Sequence, residues 1–159
     1  MHLSSVRLRL AAQGVRNARL IHRDLSGFDA AMTGETVEPL AFLRQVPYLD
    51  LVISANLLSQ IGVGARRRLE ADGKTGEIDA VLPRLIAAHL EGLAAQPCRT
   101  CLVTDIAYAV SSADGRVVED GDLLSGLTIP PHAQSWEWPV VPFGEDRRNI
   151  QAVHRVIAA

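Results

Sequence analysis

Three polar side chains stand where an apolar run gives way to a turn: Asp24, Asn56 and Asp105. The position matters because ligands of open α/β sheets bind outside the carboxyl ends of the strands. Asp24 closes the run Ala18-Arg19-Leu20-Ile21-His22-Arg23, and its carboxylate can accept hydrogen bonds from a ligand. Its plainer role is to cap a turn through Ser26 and Gly27. Asn56 follows Leu49-Asp50-Leu51-Val52-Ile53-Ser54-Ala55 and precedes a helical run, so it either faces a ligand or caps that helix. Asp105 ends a third apolar run and faces the same edge, a place where aspartates also serve turns.

Other chemistries find less support. The histidines are His2, His22, His89, His132 and His154, and no two have the i, i+4 spacing of a helical metal site. His132, in a Pro-Pro-His loop, can reach a substrate pocket, whereas His154 lies inside the last apolar run and reads as structural. No nucleophile elbow accompanies them. Cys98 and Cys101 form C-x-x-C, but a helix ends before the pair and a strand begins after it, the reverse of the thioredoxin order. Two cysteines also give half of a structural zinc site, so they read as reduced thiols at a strand entrance. Trp136 and Trp138 share one face of a strand and read as core or interface packing. No metal is expected.

The 159 residues suffice for one domain with a core. Hydrophobic residues make up 48% and charged residues 21%, ordinary for a globular chain. The net charge of −2 gives no field that attracts nucleic acid. Arginines gather at Arg7, Arg9, Arg16, Arg19 and Arg23 and again at Arg66-Arg67-Arg68, most simply as solvated faces. No apolar run approaches the ~18–20 residues of a membrane span. The start has no signal-peptide layout, because arginines interrupt the place of its apolar core. A cytoplasmic location is expected.

The elements that position these residues follow from periodicity. A helix is expected over 3–13, stopped by Gly14; a strand over 18–24; a loop over 25–29; and a helix over 37–45, ended before Pro47. The run 49–54 reads as a strand covered on both faces. Residues 57–70 read as a helix despite Gly62 and Gly64, and a long helix follows from about 78 to 95. Pro83 argues that this long helix starts near Leu82. A strand over 100–106, a polar turn region over 111–122 and two antiparallel strands over 135–141 and 151–158 complete the chain. The expected fold is α/β: a partial Rossmann-like, mainly parallel sheet flanked by helices and ending in an antiparallel strand pair.

Three segments carry a family resemblance. Leu20-Ile21-His22-Arg23-Asp24-Leu25 resembles the third strand of class I S-adenosylmethionine-dependent methyltransferases, with its closing acid. Asp50-Leu51-Val52-Ile53-Ser54-Ala55-Asn56-Leu57-Leu58-Ser59-Gln60 is similar to the fourth strand and the turn beyond it. Ser135-Trp136-Glu137-Trp138-Pro139 through Val153-His154-Arg155-Val156 resembles the terminal reversed pair.

The resemblance spans nearly the whole chain as one domain, the family's C-terminal two thirds, with the N-terminal strands and glycine-rich loop not represented in 1–159. It implies S-adenosylmethionine as cofactor. Asp24 would accept from the adenine amino group, Leu25 would lie beside the ring, and Ser54, Ala55 and Asn56 would line the methionine side. It also implies a small-molecule or protein methyl acceptor and a fourth strand with an open apolar edge. Either the third strand slides against that edge or self-association into a homo-oligomer covers it. The implied function is a methyltransferase-like domain, truncated and weakly active or inactive as it stands. The alternative is a non-catalytic interaction protein that keeps the scaffold for self-association.

Overall fold

A computed structural model describes residues 3–128, 131–145 and 149–159. Met1, Pro130 of the Pro-Pro-His loop and residues 146–148 of the final link lie outside the described residues.

Four α-helices and five strands form: α1 (Leu3–Ala12), α2 (Phe28–Thr33), β1 (Leu51–Ala55), α3 (Leu58–Ala71), α4 (Ile78–Ala94), β2 (Arg99–Ser112), β3 (Val117–Asp122), β4 (Gln134–Val141) and β5 (Ile150–Ala158). The strands make one open sheet in the order β1-β2-β5-β4, with β3 also paired to β2. The α/β class and the terminal antiparallel pair are as expected. The sheet is mostly antiparallel, however: β1–β2 is parallel, and β2–β3, β2–β5 and β4–β5 are antiparallel.

Two local outcomes produce that balance. Residues 18–24, expected as a strand, have no strand structure. Ile21 is 60% exposed there, and a strand without a partner edge gains nothing from its alternation. Residues 111–122, expected as a polar turn region, instead close a hairpin. Ser112 and Arg116 both donate to Asp114 Oδ1 at its turn, and β3 pairs back from Ser111↔Val117 to Ala107↔Asp122. Glu119 and Asp120 are exposed on this strand, so its sequence lacks a buried face. Gly121 has a packing reason: a Cβ there would come within 2.6 Å of the Tyr108 ring.

The helical layer builds the core. On α3, Leu58, Ile61, Ala65 and Leu69 are buried at helical spacing, and the helix runs through Gly62 and Gly64 without a break. On α4, Ile78, Val81, Leu82, Leu85, Ile86 and Leu93 are buried. This helix starts at Ile78, not near Leu82, so Pro83 sits inside it. An interior proline costs about 3 kcal/mol. Burying Ile78, Val81 and Leu82 returns about 1.5–3 kcal/mol each, which outweighs that cost. Residues 37–45 form only a 3-10 turn, Ala41–Gln45, preceded by Pro39. Residues 25–29, expected as loop, open α2, with Gly27 in the left-handed region (φ 67°) at its start.

Strand β1 is covered on one face, not two. Val52 and Ser54 turn inward, while Leu51 and Ile53 are 46% and 63% exposed. The helices pack on the inward face: Leu58 of α3, Ile86 and Leu93 of α4 and Leu102 of β2 form one cluster with Val52 against it. No third strand slides against β1, since 18–24 is not a strand, and β1 ends the sheet.

Leu85 is fully buried in the cluster that α2, α3 and α4 form with Phe28, Ile61 and Leu69, whereas Leu8 of α1 is largely exposed. In urea unfolding, Leu85→Ala is expected to lower stability by about 2–5 kcal/mol. Leu8→Ala should change it by no more than about 0.5 kcal/mol. Equal effects at the two positions would contradict this core.

Candidate functional site

The site region forms where β2 changes partners. One edge of β2 carries β5. The other carries β1 up to Ala55↔Val103 and β3 from Ala107↔Asp122 onward. Between them lies a notch: Asn56 N–H donates to Val103 O, Leu123 N–H donates to Ile106 O, and Asp105 falls in the gap. A β-bulge between Asp105 and Ala107 marks the same place on the β5 side. Asp105 therefore lies inside a 14-residue strand and not at a strand end.

Asp105 is buried and joins two elements. Its Oδ2 accepts from Ser59 Oγ of α3 at 3.4 Å and lies 3.2 Å from His154 Nδ1 of β5. The His154 contact has ion-pair distance but not hydrogen-bond alignment. Asp105 Oδ1 is buried with no partner, and so is Asn56 Oδ1 across the notch. Buried acceptors left unpaired are costly, which makes the notch a place that a donor would satisfy. Asn56 adopts φ 53° and turns the chain from β1 into α3. It does not cap α3, whose first turn has no side-chain cap.

Ser54 and Ala55 do not join this notch as ligand groups. Ser54 is buried against α4, with Oγ 2.9 Å from His89 Nε2. Ala55 is exposed on the outward face. Of Ser54, Ala55 and Asn56, Asn56 alone leaves a buried unpaired oxygen at the notch. His89 is fully buried, and its Nδ1 has no partner. Burial lowers its pKa from 6.5 to about 4, so the ring is neutral near neutrality.

Asp24 and Leu25 lie beside α3. With Phe28, Gln60, Ile61 and Gly64 they line an open pocket of about 310 Å³. Asp24 also has the plainer role: Oδ1 accepts from Ser26 N (2.9 Å) and Ser26 Oγ (2.7 Å), and Ser26 Oγ in turn accepts from Phe28 N. A carboxylate has further lone pairs, so the turn does not exhaust it. The opposite face of α3 lines a larger cleft of about 680 Å³ through Val63, Arg66 and Glu70, facing Tyr108 and His154. Tyr108 donates to Glu119 at 2.7 Å, and that bond raises the phenol pKa above its ordinary value.

His154 is thus a site candidate that its place inside a strand hid. The available signal was its cross-strand register, which needs the hairpins to be known. His132 is exposed before β4, and Cys98 and Cys101 are half-buried free thiols at the start of β2. Trp136 and Trp138 are 40% and 45% exposed, so they are not core. Among the described residues, no group of three or more His, Cys, Asp or Glu is placed to hold a metal, and no helix is long and apolar enough to cross a membrane. No family model, curated protein or solved structure matches the chain.

His89 sets a pH dependence. Its folded pKa is lowered, so above pH 6.5 both states are neutral there and its contribution is intact. As pH falls from 6.5 to about 4 the unfolded chain takes the proton and the folded one does not. Stability should drop by about 1.4 kcal/mol per pH unit, on the order of 3 kcal/mol in all. Urea midpoints for His89→Leu should show a flatter slope in this window, and an unchanged slope would assign the loss to other groups.

Proposed function

We propose that the chain is a methyltransferase-like domain that uses S-adenosylmethionine. The observation that carries the reading is the pocket joining Asp24 and Leu25 to the first turns of α3, directly after β1. Two segments far apart in sequence, each singled out by the resemblance, line one concave site. Its volume, about 310 Å³, falls at the small end of ligand pockets and suits the nucleoside end of the cofactor.

The sheet adds support. A parallel β1–β2 pair followed by the reversed β5–β4 pair is the order that the resemblance implies. The open edge of β1 lies where the family's sheet continues.

The residues fit the cofactor unevenly. Asp24 would accept from the adenine amino group with the lone pairs that Ser26 leaves, and Leu25 would flank the ring. Asn56 Oδ1, buried and unpaired, would accept from the amino-acid end. Ser54 is committed to His89 and contributes no contact. When bound, the cofactor supplies an electrophilic methyl group on a sulfonium. The chain's task is then positioning, which needs little acid–base chemistry for an acceptor already nucleophilic. The acceptor is a small molecule or a protein. A cytoplasmic setting goes with this reading and with free thiols at Cys98 and Cys101.

Amide chemical-shift mapping with S-adenosylmethionine tests the proposal. Saturable shifts are expected over 24–28 and 56–61, and Asp24→Ala should weaken binding about tenfold, the worth of one charged hydrogen bond. No saturable shift, or shifts confined to other segments, would refute it.

The exposed β1 edge favours a second reading, a non-catalytic scaffold that self-associates. Leu51 and Ile53 present apolar surface beside unpaired backbone groups, the template that edge strands offer to another chain. Light scattering should then find concentration-dependent dimers that Ile53→Lys removes. A monomer at every concentration tested would eliminate this reading.

A further inference from the structure

Tyr108, Gly121 and His154 line the sheet side of the larger cleft, and Trp138 adjoins His154 outside that lining. Trp138 of β4 pairs with His154 of β5, His154 pairs with Tyr108 of β2, and Tyr108 pairs with Gly121 of β3. Directly paired residues point to the same face, so these side chains form one row across four strands. The rings of Tyr108 and His154 are 6.1 Å apart and tilted by 47°. Gly121 leaves the room in which the Tyr108 ring lies. Opposite the row, α3 presents Ser59, Val63, Arg66 and Glu70, which fall on one side of the helix.

His154 is built for proton transfer at this wall. The buried carboxylate of Asp105 lies 3.2 Å from Nδ1 and favours the proton on that nitrogen. Nε2, on the far side of the ring, then carries the lone pair. Ser59 holds Asp105 from α3, so the carboxylate is fixed from both layers. The imperfect alignment of Nδ1 suits a pair that tightens when a ligand is bound.

Charge at the cleft selects the ligand. Arg66 and Arg67 are exposed at the rim and can pair with an anion. The acids nearby compete weakly. Asp122 already accepts from Leu124 N at 2.8 Å and from Gly126 N, and Glu70 is exposed to solvent.

We propose that this cleft binds a small aromatic acid that also carries an ionisable hydroxyl, with His154 as its proton acceptor. The aromatic ring lies against Tyr108 and His154, and the carboxylate meets Arg66 and Arg67. The hydroxyl O–H bond breaks, its electron pair stays on oxygen, and the proton passes to His154 Nε2. The resulting imidazolium is held against Asp105. The inference rests on the methyltransferase reading only for calling this ligand the methyl acceptor. Binding and proton transfer do not need it.

Trp138 is paired with His154 and Trp136 is the chain's one other tryptophan, so intrinsic fluorescence reads a ligand beside His154. The probes are 4-hydroxybenzoate, benzoate and phenol, titrated without cofactor. The expected result is that 4-hydroxybenzoate binds about tenfold tighter than either fragment. His154→Gln should erase the advantage over benzoate, and Arg66→Ala with Arg67→Ala should erase the advantage over phenol.

On the unaltered protein, nitrogen NMR of the neutral ring should show the His154 proton on Nδ1. It should also show Nε2 shifting with 4-hydroxybenzoate. Equal binding of the three probes, no binding, or a proton on Nε2 would each overturn the proposal. These readings stand even if a variant fails to fold. Because the probes and S-adenosylmethionine are assigned to opposite faces of α3, either proposal can fail without the other.

Discussion

Strand β2 has one edge to divide between two neighbours, and the rest of the architecture follows from that division. Backbone N–H and C=O groups must be paired along its whole length, so β1 takes the first stretch and β3 the last. The two stop short of each other, β1 at Val103 and β3 at Ala107. The unpaired interval around Asp105 is filled by the start of α3 and by the bulge toward β5. A buried carboxylate is tolerated there because Ser59 and His154 stand against one oxygen. The remaining oxygen and Asn56 Oδ1 keep unmet acceptor capacity at the carboxyl end of β1. Structural necessity and ligand chemistry thus meet at one point.

Helix α3 turns that point into two sites. Its buried stripe faces α4 and the sheet. The flank with Gln60, Ile61 and Gly64 closes the pocket beside Asp24 and Leu25. The flank with Val63, Arg66 and Glu70 closes the cleft beside His154. Gly62 lies against α4, where a Cβ would make ordinary contact with Ile86 at 3.5 Å. A shift of α3 would therefore alter both cavities together.

The elements legible in the sequence were those whose pattern is self-contained. The apolar stripes of α3 and α4 announce helices without reference to anything else, and the β-branched runs of β1, β4 and β5 announce strands. Residues 18–24 carry the same kind of run, yet strand formation depends on a partner edge that local pattern does not encode. β3 fails in the opposite direction: Val117-Val118-Glu119-Asp120 has no buried face, and only pairing with β2 makes it a strand. The early end expected for β2 has the same origin, since its second half is held by β3 and β5 and not by a helix. Of the candidate site, Asn56 was legible because it follows the carboxyl end of a strand, whereas Asp24 borders its pocket from a turn and not from the strand end that the sequence suggested. His154 was not legible, because a histidine inside a strand gains meaning only from the residues opposite it.

The proposed cofactor pocket beside Asp24 needs shape and a few acceptors, and those can be read from turns. The proposed proton transfer needs a base whose second nitrogen faces a carboxylate, and that arrangement takes three separate elements: Ser59 on α3, Asp105 on β2 and His154 on β5. Removing Asp105 would leave His154 with no charge to favour one tautomer, while the aromatic row and the arginines would persist. Binding and proton transfer are therefore separable in this cleft. In the proposed proton transfer Asp105 acts through its neighbour, since its Oδ2 stands against His154 Nδ1 while Oδ1 is left without a partner in the notch.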